Sequence, residues 1–348
     1  MEKRALILPI LGISSMLRIH QAIADWENYY PPGAPIYINN GSSRITESND
    51  VFVDNCVFQN FSPNGVIQID ASNNLLVLSC SFLNSYSQNS NGGGSIYKMG
   101  GQSVQARICS YNTSESMSTG WGGHSYTKAN GDSVSLNSLY QSTIAISKGH
   151  YNCVAMSQGN QLLTSSNISF AYNTGNVAYA LWETTGVGVF NYSTIYNNTV
   201  LKEYIGFHGS SSHKIITCNF LDNKAPSGSA GIVGSAPLNI YNTIFKNNTG
   251  QYIFNCGSGS SVTNCSYLSN NVIAILNPSS SAIIGDSINL SFHLNHLSTF
   301  NCQNEYSLDF SNPVLVNTGE TKKVEETEDY KSNNDISPVY ILMAIGFN

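Results

Sequence analysis

The sequence predicts an all-β protein, a single-stranded, right-handed parallel β-helix of about ten coils with ~25 residues per coil. Three observations carry the prediction. A short apolar phrase recurs at a near-fixed interval, the residues around it form short runs of alternating polarity, and charged residues make up only 10% of the chain. A repeat of this period marks a stack in which each unit buries its apolar face against its neighbours. The low charge disfavours long surface helices, which usually carry Lys and Glu.

The phrase is clearest in Ile-Ser-Phe170-Ala-Tyr-Asn173, Thr-Ile195-Tyr-Asn-Asn198, Cys218-Asn-Phe220-Leu-Asp-Asn223, Thr243-Ile-Phe245-Lys-Asn-Asn248, Cys265-Ser-Tyr267-Leu-Ser-Asn270 and Leu-Ser-Phe292-His-Leu-Asn295. Its apolar centre falls at 170, 195, 220, 245, 267 and 292, in steps of 25, 25, 25, 22 and 25. Towards the N-terminus the landmark continues less regularly at Phe58, Phe82, Tyr111 and Tyr140. Runs such as Val66-Ile-Gln-Ile69 and Leu75-Leu-Val-Leu78, bounded by Gly, Asn and Ser, read as strands. Three short strands and three turns fill one coil, and coils stack ~4.8 Å apart.

Parity within the strands assigns columns. Cys56, Cys80, Cys109, Cys218 and Cys265 lie two residues before the landmark, on its own face, and are expected inside as a largely reduced ladder. Cys153, Cys256 and Cys302 fall off this column, and their pairing is not assignable. Asn55, Asn167, Asn242, Asn264 and Asn289, three before it, turn outward or into a bend. Asn173, Asn198, Asn223, Asn248, Asn270 and Asn295, three after it, are expected to stack as an amide ladder.

At the N-terminus, Glu2-Lys3-Arg4, the apolar run Ala5 to Leu17 and Ala22-Ile23-Ala24 read as a signal peptide over residues 1–24. Residues 25–50, with Trp26, Tyr29, Tyr30 and three prolines, read as an N-terminal cap. The β-helix is expected over 51–302 and an acidic tail over 303–348. That tail ends in about ten apolar residues, half of what a spanning helix needs, so membrane association is expected only through a missing or short C-terminal anchor. The location expected is secreted or cell-surface. Nine Asn-x-Ser/Thr sequons, at Asn40, Asn60, Asn112, Asn167, Asn191, Asn197, Asn247, Asn264 and Asn289, agree with a secreted glycoprotein.

Little in the sequence points to catalysis. A net charge of −6 provides no basic field for nucleic acid. Parallel β-helices often house polysaccharide lyases and hydrolases, whose chemistry needs converging carboxylates. Glu115, Asp132, Glu183, Glu203 and Asp222 are the only acids between Ala71 and Gly285, and they fall at different offsets from their landmarks. Gly206-Phe-His208-Gly209 reads as a turn with a surface histidine. No cofactor and no metal site is expected. A binding surface is suggested instead where the coils are longest, at Asn91-Gly-Gly-Gly94, Gly120-Trp121-Gly-Gly-His124 and Gly149-His150-Tyr151. Solenoid insertions tend to gather on one binding face, so Trp121, His124, Tyr126, His150 and Tyr151 are the candidate binding residues.

Phe-x-x-Asn occurs at Phe170–Asn173, Phe220–Asn223, Phe245–Asn248 and Phe292–Asn295, with Tyr267–Asn270 as a variant, and Gly93-Gly94-Ser95-Ile96 approximates Gly-Gly-Ala-Ile. In these motifs the chain resembles the polymorphic outer-membrane proteins and similar surface proteins of flagellate parasites. The resemblance implies an adhesin whose residues 51–300 form a parallel β-helix of the pectin lyase-like superfamily. Its partners would be glycans or proteins on host or neighbouring cells. The alternatives are a carbohydrate-active β-helix and a purely structural coat protein.

Overall fold

The computed structural model describes residues 25–288, apart from 89–91, 117–119, 174–176, 202, 210–211, 226–229, 236 and 286. The segments expected as signal peptide and tail, with Phe292, Cys302 and the sequon Asn289, lie outside the described residues. Within them the chain is a parallel β-solenoid of nine coils. In the first, Val51–Asp54 enters one sheet, Val57–Gln59 a second and Ile67–Asp70 a third. Repetition builds parallel sheets of eleven, nine and nine strands.

Two corners of every coil are single residues with left-handed backbone. The first, between the first and second sheets, falls at Asn55, Ser79, Arg107, Gln141, Ser165, Tyr192, Thr217, Asn242 and Asn264. The second, closing the second-sheet strand, falls at Asn60, Asn84, Asn112, Ile146, Phe170, Asn197, Asp222, Asn247 and Ser269. The two are five residues apart in all nine coils. Asn tolerates this conformation best, which explains why it fills eight of the eighteen corners. At Ile146 and Phe170 coil stacking overrides local preference.

This unit fixes the register. The interior column of the second sheet is Phe58, Phe82, Ser110, Ile144, Ile168, Ile195, Phe220, Phe245 and Tyr267. Three landmarks read from the sequence are therefore displaced. Tyr111 lies one residue past the column, Tyr140 ends the first-sheet strand Leu136–Tyr140, and Phe170 is a corner. An interior position accepts Ser or Ile as readily as an aromatic ring, so ring identity misled where spacing between corners would not. Where rings do coincide they stack, as in Phe58–Phe82 (5.2 Å, 15°) and Phe220–Phe245 (5.0 Å, 13°).

The cysteine column shifts accordingly. Its members are Cys56, Cys80, Ile108, Ser142, Ser166, Ser193, Cys218, Thr243 and Cys265, all buried. Its Ser and Cys side chains can serve the coil before them. Ile108 N–H donates to Ser142 Oγ (3.0 Å), Ser166 N–H to Ser193 Oγ (3.0 Å) and Cys56 N–H to Cys80 Sγ (3.5 Å). The four cysteines of the column are free thiols, as are Cys153 and Cys256. Cys109 is the correction. It precedes Ser110 by one residue, so parity turns it away from the interior, and it is disulfide-bonded.

The asparagine ladder is present from Asn198 to Asn270. Asn198, Asn223 and Asn248 each donate through Nδ2 to Oδ1 of the next Asn at 3.0 Å. Each also donates to a backbone carbonyl, of Ile168, Ile195 and Phe220 respectively. Their backbone N–H groups donate to the same Oδ1 atoms at 2.9–3.1 Å. The ladder begins on Ala171 N–H and not on Asn173, which lies two residues later in the strand Tyr172–Asn173. Earlier coils place Phe61, Ser85, Thr113 and Ser147 at the same offset from the corner. Asn167 keeps the outward register expected of it, in line with Cys109 and Thr143, but is covered there. It lies in the second-sheet strand Asn167–Ser169, fully buried, and not at a bend.

The N-terminal segment does more than cap one end. Ile36–Ile38 pairs with Val51–Val53 as an added strand, while Trp26 and Tyr30 lie across the outer face of the first sheet. They pack there with Phe52, Leu76, Leu78, Val104 and Ala106, and Tyr30 Oη donates to Leu75 O at 2.7 Å.

Candidate functional site

In coils two to five a further short strand follows the second corner. There Tyr86–Ser87, Ser114–Glu115, Lys148–Gly149 and Tyr172–Asn173 form a fourth, four-stranded sheet. The glycine-rich loops that follow stack on one side, as their spacing suggested. Gly93 N–H donates to Trp121 O (2.8 Å), Gly94 N–H to Gly122 O (3.0 Å), and Gly123 N–H to Asn152 O (2.7 Å). Gly122 has φ of +84°, and a Cβ there would lie 2.1 Å from Ser125 O, so the loop requires glycine at that point.

These loops bring Trp121, Tyr126, His150 and Tyr151 together. Trp121 stacks on Tyr151 (4.6 Å, 22°) and lies 6.3 Å from Tyr126, while His150 meets Tyr151 edge-on at 4.4 Å. The cluster is one part of a longer stripe. Tyr97 pairs with Tyr126 in register and lies 6.0 Å from it. Trp182 meets Trp121 at 5.3 Å and 90°, and stacks on His208 at 4.1 Å and 13°. From Tyr97 to His208 the stripe crosses five consecutive third-sheet strands. Further along its outward register come Ala155, Ala180 and Gly206, small residues that let the rings lie close over the sheet. A cleft of about 310 Å³ lined by Arg44, Thr46, Glu47, Ser48, Gln68, Asp70 and Ala71 opens at the head of the stripe, where Gln68 pairs with Tyr97.

Sequence reasoning missed Tyr97, Trp182 and His208. Strand parity held the signal for Trp182, because Tyr179 and Leu181 are interior and Ala180 and Trp182 must alternate with them. A β-bulge between Leu181 and Thr184, where that strand meets Glu203–Gly209, adjusts the pairing beside Trp182. His208 is not a turn residue as expected, since it belongs to the strand Glu203–Gly209.

His124 is the contradicted member of the predicted set. Its side chain is 0% exposed and lies 5.6 Å from Phe82, over the interior position that Ser110 leaves small. Neither ring nitrogen has a partner, and burial pushes its pKa down to about 3. Apart from Ile108, the third coil is largely polar inside. Ser103, Gln105, Ser110 and Ser125 are buried where the second coil offers Leu75, Val77, Phe82 and Ile96. Both side-chain polar atoms of Gln105, and the hydroxyls of Ser103 and Ser125, are likewise unpartnered. His213, further along, is also fully buried without a partner, its pKa lowered to about 4 by burial and then by His208.

Of the acids, Glu115 is the unusual one. It is 0% exposed, accepts the His150 N–H through Oε1 at 2.6 Å, and leaves Oε2 unpartnered. Burial raises its pKa to about 7, against the lowering by that bond. Its carboxyl lies against Gly120, where an added Cβ would overlap Oε2. It thus sits beneath the roots of both Trp121 and Tyr151. Asp132 instead closes a turn, accepting from Val134 N, Ser135 N and Ser135 Oγ, which hold its pKa low. Among the described residues no three of His, Cys, Asp and Glu gather as metal ligands, and no helix is long and apolar enough to cross a membrane. Comparisons of the chain with family models, with curated proteins and with solved structures return no match.

Proposed function

We propose that this β-solenoid is a secreted or cell-surface, non-catalytic protein acting in adhesion or surface interaction, through the aromatic stripe of its third sheet. The stripe is the observation that carries the reading. Tyr97, Tyr126, Trp121, Tyr151, Trp182 and His208 form one continuous row of amphipathic rings along the rod. Such side chains lose little entropy on binding and offer both apolar area and hydrogen-bonding tips. Tyr126, Trp121, Tyr151, Trp182 and His208 are half-buried, Tyr97 is buried and the Trp182 Nε1 is covered. The row thus offers partly covered rings more than free polar tips, which suits the apolar face of a glycan or a protein surface on a host or neighbouring cell. The likeness to the polymorphic outer-membrane type of surface protein belongs to the same proposal. Phe220–Asn223 and Phe245–Asn248 support it, with each Phe in the interior column and each Asn in the ladder; Phe170–Asn173 does not, being two residues out of register.

Replacing Trp121 and Trp182 together by Ala is expected to lower binding to cells or matrix at least ~10-fold, the loss of two aromatic anchors. Circular dichroism and the thermal midpoint should stay near wild type. Undiminished binding by a folded double variant would remove the stripe from the reading.

A carbohydrate-active enzyme is the second reading, and Glu115 is the observation in its favour, since a carboxyl with pKa near 7 resembles a general acid. Its burial and the lack of an evident second carboxyl beside it weigh against that role. Turnover of polyuronides, with or without calcium, that disappears in Glu115→Gln would establish the enzyme instead.

A further inference from the structure

We infer that the chain carries a row of N-linked glycan attachment sites along one edge of the solenoid, at Asn60, Asn112, Asn197 and Asn247. This rests on the secreted reading above and goes beyond it. The nine sequons look scattered in the sequence, but the fold sorts them. These four occupy the same place in their coils, the second corner, with φ of 61°, 52°, 49° and 55°. The side chains of Asn60, Asn112 and Asn247 are exposed and that of Asn197 is half-buried. Asn167 and Asn191, by contrast, are 0% and 2% exposed. A glycan there would have no room. Asn40 and Asn264 are exposed too, but Asn40 precedes the first coil and Asn264 is a first-corner residue.

The corner produces the sequon for structural reasons. Left-handed backbone favours Asn at the corner itself. The next residue, Phe61, Thr113, Asn198 or Asn248, turns back towards the coil and is half-buried or buried. The third is a small hydroxyl residue, Ser62, Ser114, Thr199 or Thr249. Thr199 and Thr249 both bridge to Lys224, in the coil between them. Three structural demands thus place an acceptor motif at an outward-facing bend.

Spacing favours occupancy of all four together. The sites fall in coils one, three, six and eight, hence roughly 10, 14 and 10 Å apart at ~4.8 Å per coil. The intervening corners carry Asn84, Ile146, Phe170 and Asp222, none of which begins a sequon. Attachment joins Asn Nδ2 to C1 of an oligosaccharide donated from a lipid-linked pyrophosphate. The amide gives up one proton and the lipid pyrophosphate leaves. The second N–H and Oδ1 remain, so the corner bonds Asn84 Nδ2 to Asn60 Oδ1 (3.2 Å) and Asn112 Nδ2 to Asn84 Oδ1 (2.9 Å) can persist. No exposed sequon among the described residues lies on a third-sheet strand, so the aromatic stripe stays bare.

The test is site-resolved mass spectrometry after enzymatic deglycosylation in heavy-oxygen water, on the full chain expressed in a eukaryotic cell. One arm uses the chain's own N-terminus; the other places a foreign secretion leader in front of the full chain. The expected result is majority occupancy at the four row sites and none at Asn167 or Asn191 in the secreted, protease-resistant protein. A bare row in leader-driven, secreted protein overturns the inference, as does occupancy of Asn167 or Asn191 in that folded fraction. Glycosylation of the row only when the foreign leader is present would uphold the sites and overturn the secreted reading.

Discussion

Asn223→Ala is expected to cost about 4 kcal/mol of stability, read as the shift of the urea midpoint, although Asn223 is an amide with no apparent role in binding. The side chain is 0% exposed. Its Oδ1 takes both Asn198 N–H (3.1 Å) and Asn198 Nδ2 (3.0 Å), and its Nδ2 serves Ile195 O (2.9 Å) and Asn248 Oδ1 (3.0 Å). Truncation leaves two buried donors of Asn198 without acceptors, at ~1–3 kcal/mol each, and weakens two further acceptors. Asn223→Asp keeps the shape and both acceptor contacts but cannot donate, and it buries a carboxyl beside Asn248 Oδ1; it should be at least as damaging. Asn84→Ala supplies the contrast, because Asn84 lies in an exposed corner ladder, and should cost about 1–2 kcal/mol, chiefly the left-handed backbone that Asn tolerates better than Ala. A loss at Asn223 no larger than at Asn84 would mean that the ladder follows the fold and does not support it.

Acid should unfold the protein through its buried histidines. His124 and His213 have folded pKa values lowered to about 3 and about 4, in both cases chiefly by burial. The unfolded chain therefore binds more protons below pH ~6.5, and stability falls as pH drops from there towards 4. Each residue accounts for on the order of 2–3 kcal/mol by pH 4. Glu115 acts in the opposite sense. Its folded pKa is raised to about 7, so the folded state holds the extra proton between pH ~7 and ~4.5, and stability is lost as pH rises through 7. Thermal midpoints should thus peak slightly below neutrality. His124→Gln should flatten the acid limb, and Glu115→Gln, which removes an opposing change between pH ~4.5 and ~7, should steepen it. An acid limb unchanged by His124→Gln and His213→Gln together would place the sensitivity elsewhere.

The architecture was legible because its constraints are periodic. Stacked coils repeat their interior, so Phe220, Phe245 and Tyr267, with Asn223, Asn248 and Asn270 three residues on, announce both column and ladder. Register failed where the interior is polar. With Ser110 in the column and His124 over it, the nearest aromatic landmark was Tyr111, one residue out. Ser142-Thr-Ile144 carried the correct phase, as Ser193-Thr-Ile195 did at the Ile195 landmark, but the aromatic Tyr140, four residues before Ile144, took its place. The candidate site was half visible. Loop stacking follows from length and glycine content, so Trp121 and Tyr151 were foreseeable. Trp182 and His208 come from coils of ordinary length, and only three-dimensional stacking joins them to the others. His124 was misplaced because parity fails at a corner, where a side chain can turn to either side.

The five-residue span between the two corners has a consequence for how such a chain can change. From second corner to third-sheet strand the distance varies between Asn247–Tyr252 and Asn112–Ser125, while the corner-to-corner span never varies. An insertion inside that span would flip every following side chain between interior and solvent. An insertion after the second corner changes no phase at all. The turn from third to first sheet varies as well, from Ser157–Asn160 to Lys128–Leu136. The solenoid is therefore locked along the flank between its two corners, while loops can be exchanged as cassettes and recognition can diversify at both of its other turns.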